Sequence, residues 1–184
     1  EPTQMNLAVA EKGLMVLDCV AKGQSGHAAR EEGVNAIYKA IRDIEWFKNY
    51  QFEKESDLLG AVKMSVTMIQ AGKQHNVVPD ACAFTVDIRV NECYSNQQVF
   101  DIVKQYVEAD VTPRSFRLNS SAIDLNHVFV KRFLSIKPTI FGSATLSDQT
   151  FMQFPSVKIG VGDSARSHTA DEYIFISEIE EGIG

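Results

Sequence analysis

Four histidines are the residues of this chain best suited to proton or metal chemistry, and two of them sit in unusual surroundings. His27 follows Gly23-Gln24-Ser25-Gly26, a flexible, turn-rich link that could present an imidazole to a ligand or use it to cap the turn. His168 lies in Gly160-Val161-Gly162-Asp163-Ser164-Ala165-Arg166-Ser167-His168, directly after a stretch of strand type. That is where α/β enzymes place catalytic loops. His75 and His127 show no comparable context. Several familiar strings are missing: G-x-x-x-x-G-K-[ST], G-x-G-x-x-G, H-E-x-x-H and CxxC. Gly162-Asp163-Ser164-Ala165-Arg166 lacks the second glycine of a serine-nucleophile elbow. By themselves these residues indicate an enzyme-like α/β chain with a suspect loop at 160–169.

The elements that must position them follow from periodicity. Residues 14–21 read as a largely buried strand. Val34, Ile37, Ile41, Ile44 and Phe47 fall on one helical face. Val62, Met64, Val66 and Met68 alternate with Lys63, Ser65 and Thr67, which predicts a half-buried strand. Cys82 to Val90 alternates in the same way, with Thr85, Asp87 and Arg89 on the polar face. Ser95 followed by Gln98 is a capping-box signature opening a helix through Val99, Ile102, Val103 and Tyr106. A last strand is expected at 114–119. The order β-α-β-β-α-β over roughly 12–121 is that of a ferredoxin-like domain. Residues 122–184 are expected to add helices near 127–136, 146–152 and from about 177, with short strands at 139–141 and 156–160. Such pieces cannot bury a core alone. We therefore expect a complete domain inserted into a second, partial one. The chain begins with Glu1 rather than Met, as expected of a piece of a longer protein.

Composition narrows the function. The 184 residues carry 18 Lys+Arg against 24 Asp+Glu, a net charge of −6. The deficit is even: 13 positive and 16 negative charges over 1–121, and 5 and 8 over 122–184. An acidic chain without a basic patch argues against nucleic-acid or anionic-membrane partners. The longest uncharged run, Pro138 to Ser147, is ten residues, too short to cross a membrane as a helix. Cys19, Cys82 and Cys93 are odd in number and unpaired by spacing, the pattern of a reduced cytoplasmic protein.

Eight short motifs occur in order: Glu1-Pro2-Thr3, Glu11-Lys12-Gly13, Gly23-Gln24-Ser25-Gly26-His27-Ala28-Ala29, Gly33-Val34-Asn35-Ala36-Ile37, Asn76-Val77-Val78-Pro79-Asp80, Asp87-Ile88-Arg89, Ser147-Asp148 and Ser167-His168-Thr169-Ala170-Asp171-Glu172-Tyr173. Together they resemble the dizinc deacylase and peptidase family of acetylornithine deacetylase, succinyl-diaminopimelate desuccinylase, aminoacylase and glutamate carboxypeptidase. The acetylornithine deacetylase branch is the most similar. The resemblance implies an α/β chain with an α+β, ferredoxin-like lid and dimerisation domain at 11–121. It implies that 1–10 and 122–184 are segments of a zinc-peptidase-like catalytic domain.

The same resemblance implies roles for individual residues. Glu1 and His168 match ligands of the two zinc ions, with cobalt able to substitute. His27 matches a lid histidine that reaches into the partner subunit's site and donates to the oxyanion. Asn76 and Arg89 match positions that hold substrate carboxylate or backbone groups; for Arg89 an ion pair with Asp87 is the alternative. Arg166 is either an anchor for an anionic group or a solvated surface arginine. Asp148 either orients the metal loop or caps the next helix. The implied reaction is hydrolysis of an N-acetyl- or N-succinyl amino acid of ornithine or citrulline type, in arginine biosynthesis, by a cytoplasmic homodimer. The family's remaining metal ligands and its general-base glutamate precede the Glu-Pro-Thr motif, so this piece alone is expected to be inactive. Alternatives are a dipeptidase, a desuccinylase, or a non-catalytic dimerisation module.

Overall fold

A computed structural model describes every residue except Glu31, Lys137, Pro138, Gln153 and Gly184. Its largest sheet is built around β2 (Gly13–Lys22) and β6 (Ala81–Val90), which pair antiparallel along their full lengths. β4 (Lys63–Ala71) flanks β6 and β7 (Asp110–Pro113) flanks β2, giving the order β4-β6-β2-β7. With α1 (Ala36–Asn49) and α2 (Asn96–Tyr106) this is the ferredoxin-like β-α-β-β-α-β arrangement. Strict alternation puts Met15, Leu17, Cys19 and Ala21 of β2 and Cys82, Phe84, Val86 and Ile88 of β6 into one core. Burial pushes the Cys19 thiol up to about 12, as expected of a packing cysteine rather than a nucleophile. Asn35 caps α1, and Ser95 with Gln98 forms the capping box expected for α2.

Several expectations are corrected here. The buried stripe of α1 is Ala36, Ala40, Asp43 and Phe47, so Val34 and Ile41 are left exposed at its rim. The small alanines let the helix sit close to the sheet. In β4 the register slips between Val66 and Met68, so Met68 opposes Thr85 on the open face and is 65% exposed. The last strand lies at 110–113 and not at 114–119. Val111 is its inward residue, and Pro113, which has no N–H to donate, ends the strand.

Asp43 is a buried carboxylate on α1 that ties the helix to the start of β7. Its two oxygens accept the backbone N–H groups of Glu108 (3.1 Å) and Ala109 (2.9 Å). Asp43→Ala leaves these donors without an acceptor. We expect a loss of about 1–3 kcal/mol in a denaturant titration, with an unchanged slope.

A second, smaller sheet has the order β8-β1-β9, from β1 (Leu7–Glu11), β8 (Ser121–Ala122) and β9 (Ile140–Ser143). β1 is buried along its whole length, and Leu7 and Val9 pack with Ile123 and with Val130 of α3 (Val128–Leu134). The strand expected at 156–160 contributes only the bridge of Lys158 to Ala8. The helix expected at 146–152 is a 3₁₀ turn, Asp148–Phe151. A final helix, α4, spans Ile176–Ile183. The chain passes between the two sheets twice, at 11–13 and at 119–121. The crossings are in close contact: a Cβ on Gly13 would lie 2.5 Å from the backbone nitrogen of Ser120.

Candidate functional site

Glu1 is held against the loop that carries His168. Thr3 N and Met5 N both donate to the carbonyl of Gly160, at 3.0 Å each, and Gln4 N donates to Gly162 O at 2.8 Å. Thr3 Oγ1 accepts Gly160 N at 3.0 Å, and Gln4 Nε2 donates to Asp163 Oδ2 at 2.9 Å. The approach is so close that a Cβ on Gly160 would meet the Glu1 carbonyl oxygen at 2.4 Å. Beside these contacts lies a cavity of about 240 Å³, lined by Glu1, Thr3, Ser143, Thr145, Lys158 and Asp163. His168 has left-handed backbone (φ +62°), and its N–H donates to Glu172 Oε2 at 3.1 Å. The fold thus brings the Glu1 end of the chain against Gly160–Asp163, the start of the loop that carries His168.

His27 and Asn76 meet at the opposite end of the large sheet. The segment 23–27, expected as a flexible turn, instead forms strand β3 (Gly26–His27), paired with β5 (Val77–Val78). His27 opposes Val77, and Ala28 N donates to Asn76 O at 3.0 Å. His27 Nδ1 accepts the N–H of Ala29 at 3.1 Å. In the neutral ring the proton then resides on Nε2. Among the described residues Nε2 has no partner, so it is a donor available to a ligand. β2 is ten residues long, so roughly 30 Å of strand separates this end from the crossing beside Glu11.

The remaining expected residues stand apart from both clusters. Arg89 lies on the open sheet face near the crossings and forks onto Asp87 at 2.8 and 3.1 Å. Arg166 forks onto Glu178 of α4 at 2.7 and 2.6 Å, and its guanidinium carbon lies 5.1 Å from the Tyr173 ring centre and 5.0 Å from that of Phe175. The Arg166 contact and the N–H of Phe175 hold the Glu178 carboxyl down at about 2. Asp148 opens the 3₁₀ turn, whose capping side chain is Ser147.

One polar cluster escaped the sequence reading. Glu11 and Lys158 are 1% and 6% exposed and lie 3.5 Å apart. Lys158 Nζ also donates to Ser143 Oγ at 2.8 Å, and Glu11 accepts Ser147 N and Oγ at 3.2 and 2.7 Å. A lone lysine inside Val157-Lys158-Ile159 was the available signal.

Carboxylate oxygen and imidazole nitrogen suit zinc. Among the described residues, however, no three His, Cys, Asp or Glu side chains converge to hold a metal ion. Glu1 and His168 carry donor atoms of a suitable type, and the described residues do not complete a site around either.

Comparison with known proteins agrees with this architecture. Over the whole chain it is 25% identical to an uncharacterised metallohydrolase of Methanocaldococcus jannaschii, of which it covers 55%. It is 24% identical to the acetylornithine deacetylase of Myxococcus xanthus, over 97% of this chain and 52% of that protein. Aminopeptidase PepT of Bacillus cereus shares the fold with a TM-score of 0.77 at 20% identity, over 96% of this chain and 51% of that one. The chain therefore spans about half the length of the curated relatives it matches. The family described as the peptidase dimerisation domain of M20 matches residues 9–114, more than half of the sequence, and the chain belongs to that family.

Proposed function

We propose that this chain is part of a metal-dependent N-acyl amino-acid hydrolase. Residues 11–121 act as its lid and dimerisation domain, and 1–10 and 122–184 as parts of its catalytic domain. The observation that carries this reading is the division of chemistry between the two ends of the molecule. At one end the segment that follows Glu1 is laced to the start of the loop that carries His168, and at the other stands a histidine whose Nε2 has no partner among the described residues. About 30 Å of strand along β2 separates the two ends, which supports the reading that His27 serves the site of a second subunit rather than its own.

In this reading Glu1 and His168 each supply one ligand to a zinc pair, for which cobalt substitutes. The chemistry that such a pair supplies when bound is Lewis-acid activation of water and of the amide carbonyl. His27 donates through Nε2 to the oxygen that becomes negative as the amide is attacked. Asn76, beside it, holds polar groups of the substrate, whereas the fork of Arg89 onto Asp87 supports the ion-pair alternative for that residue. The likeness to acetylornithine deacetylase supports N-acetyl- or N-succinyl-ornithine or citrulline as substrate, in arginine biosynthesis. The three free cysteines are in keeping with the cytoplasm.

The second subunit is a copy of the same chain, joined through the lid. β4 is an edge strand, and Met68 and Ile69 on it are 65% and 58% exposed. An open apolar edge is a surface that a protein normally covers. Ile69→Lys is expected to weaken dimerisation by about tenfold or more, ~1.4 kcal/mol, in sedimentation equilibrium. A variant that dimerises like the parent excludes this edge.

The function itself is tested by turnover. The intact protein, metal-loaded and metal-stripped, is offered acetyl- and succinyl-ornithine, acetylcitrulline, succinyl-diaminopimelate and small peptides. Metal-dependent release of the free amino acid from an acyl substrate is expected. Peptide cleavage alone, or no hydrolysis with metal bound, overturns the deacylase reading.

A further inference from the structure

Arg166 occupies a setting built for holding the chain rather than for receiving a ligand. Both oxygens of Glu178 are engaged by its terminal nitrogens at 2.6 and 2.7 Å, and the two side chains are only 20% and 23% exposed. Two aromatic rings flank the guanidinium at about 5 Å. Glu178 Oε2 also accepts the N–H of Phe175 at 2.9 Å, and Thr169 Oγ1 donates to the carbonyl of Arg166 at 2.8 Å. Upstream, Asp163 caps the turn Ser164–Arg166 through Ala165 N at 2.9 Å. His168 lies inside this closed loop, in a left-handed conformation that a residue with a Cβ seldom adopts without support. A carboxylate arriving at Arg166 would meet a charge already neutralised by a bidentate partner.

We propose that Arg166 is a positioning residue: with Glu178, Tyr173 and Phe175 it closes residues 163–178 into a staple that fixes the backbone from which the His168 imidazole projects. As a statement about metal binding this rests on the reading of His168 given above. As a statement about the loop it stands on the contacts alone. The staple joins the loop to α4, so a change at either end of the ion pair has the same consequence. That symmetry separates positioning from substrate anchoring, because Glu178 is an acid and cannot anchor an anionic substrate.

The test compares Arg166→Met, Arg166→Lys and Glu178→Gln in the intact protein. Amide exchange is read across 163–173, with the amides of β2 and β6 as the internal control for folding. Cobalt(II) affinity is read by titration, and KM is compared for acyl substrates with and without an acyl carboxylate. Arg166→Met and Glu178→Gln are both expected to speed exchange in the loop, the His168 amide included, and to leave β2 and β6 protected. Both are expected to weaken cobalt binding about tenfold or more, as loss of the support behind a metal ligand does. Arg166→Lys keeps the charge but not the fork, and is expected to fall between them and the parent. KM is expected to shift alike for both substrate types. The proposal is overturned if exchange in the loop stays at the parent rate. It is equally overturned if Arg166→Met raises KM for the carboxylated substrate alone while Glu178→Gln does not. A parent protein that binds no cobalt ends the metal reading, and the exchange comparison still decides the staple.

Discussion

His27→Ala in the intact protein is expected to lower kcat by about 10²–10³-fold, or roughly 3–4 kcal/mol of transition-state stabilisation, and to leave the dimer intact. The physical basis is the fixed tautomer. Ala29 N–H occupies Nδ1 at 3.1 Å, so Nε2 carries the proton and is a donor in place before the reaction begins. A preorganised donor acts on the developing oxyanion more than on the neutral carbonyl, so kcat falls more than KM rises. The side chain is exposed, so no core is disturbed.

Complementation makes the experiment sharper. His27→Ala and His168→Ala chains are each expected to be nearly inactive as homodimers. In a mixed dimer one site receives an intact His168 from its own chain and an intact His27 from the other. Random mixing in a two-fold dimer then restores about a quarter of the parent turnover. A loss below threefold in His27→Ala, or no recovery on mixing, removes His27 from the partner's site.

Lys158→Met is expected to destabilise the protein by about 3–5 kcal/mol, because it strands the Glu11 carboxylate in a site where that side chain is 1% exposed. For a chain of this size the melting temperature falls by on the order of 10 °C. The carboxylate keeps Ser147 as a partner, but one of its oxygens already lacks any hydrogen bond. The ammonium 3.5 Å away is thus its main compensation. The double variant Glu11→Gln, Lys158→Met removes both charges and is expected to recover most of the loss. Denaturant titrations of the three variants, closed as a thermodynamic cycle, measure the coupling. Additive losses in the double variant exclude a coupled pair. Glu11 ends β1 at the first crossing, and Gln149, next to the Ser147–Asp148 motif, donates to Ser121 at the second at 3.1 Å. The cluster therefore lies where the two sheets join. Loosening there is expected to appear as faster exchange at Ser143–Ser147 before the large sheet opens.

Much of the ferredoxin-like domain was legible in the sequence, because its signals are local. Alternation over Cys82–Val90 marks β6 regardless of its neighbours, and Ser95 with Gln98 marks the start of α2. Errors arose where a long-range contact overrode a local pattern. The slip after Val66 depends on the register with β6 and cannot be read from β4 alone. Ile41 has the spacing of a core residue, yet the sheet lies against Ala36, Ala40 and Phe47 instead. β1 has only five residues, and its burial comes from β8 and β9, more than a hundred residues away.

The site divides in the same way. The types of residue and their order along the chain, from Glu1-Pro2-Thr3 to the loop of His168, were set by the sequence alone, as was the ferredoxin-like order of elements. Their grouping was decided by the tertiary structure. It laces residues 3–5, next to Glu1, to Gly160–Asp163, places His27 beside Asn76 at the far end of a ten-residue strand, and closes Arg166 onto Glu178. The reason is that side-chain periodicity records which face of an element is buried. It carries no record of which distant backbone that face meets, and proximity between remote segments follows only from hydrogen-bond register and packing.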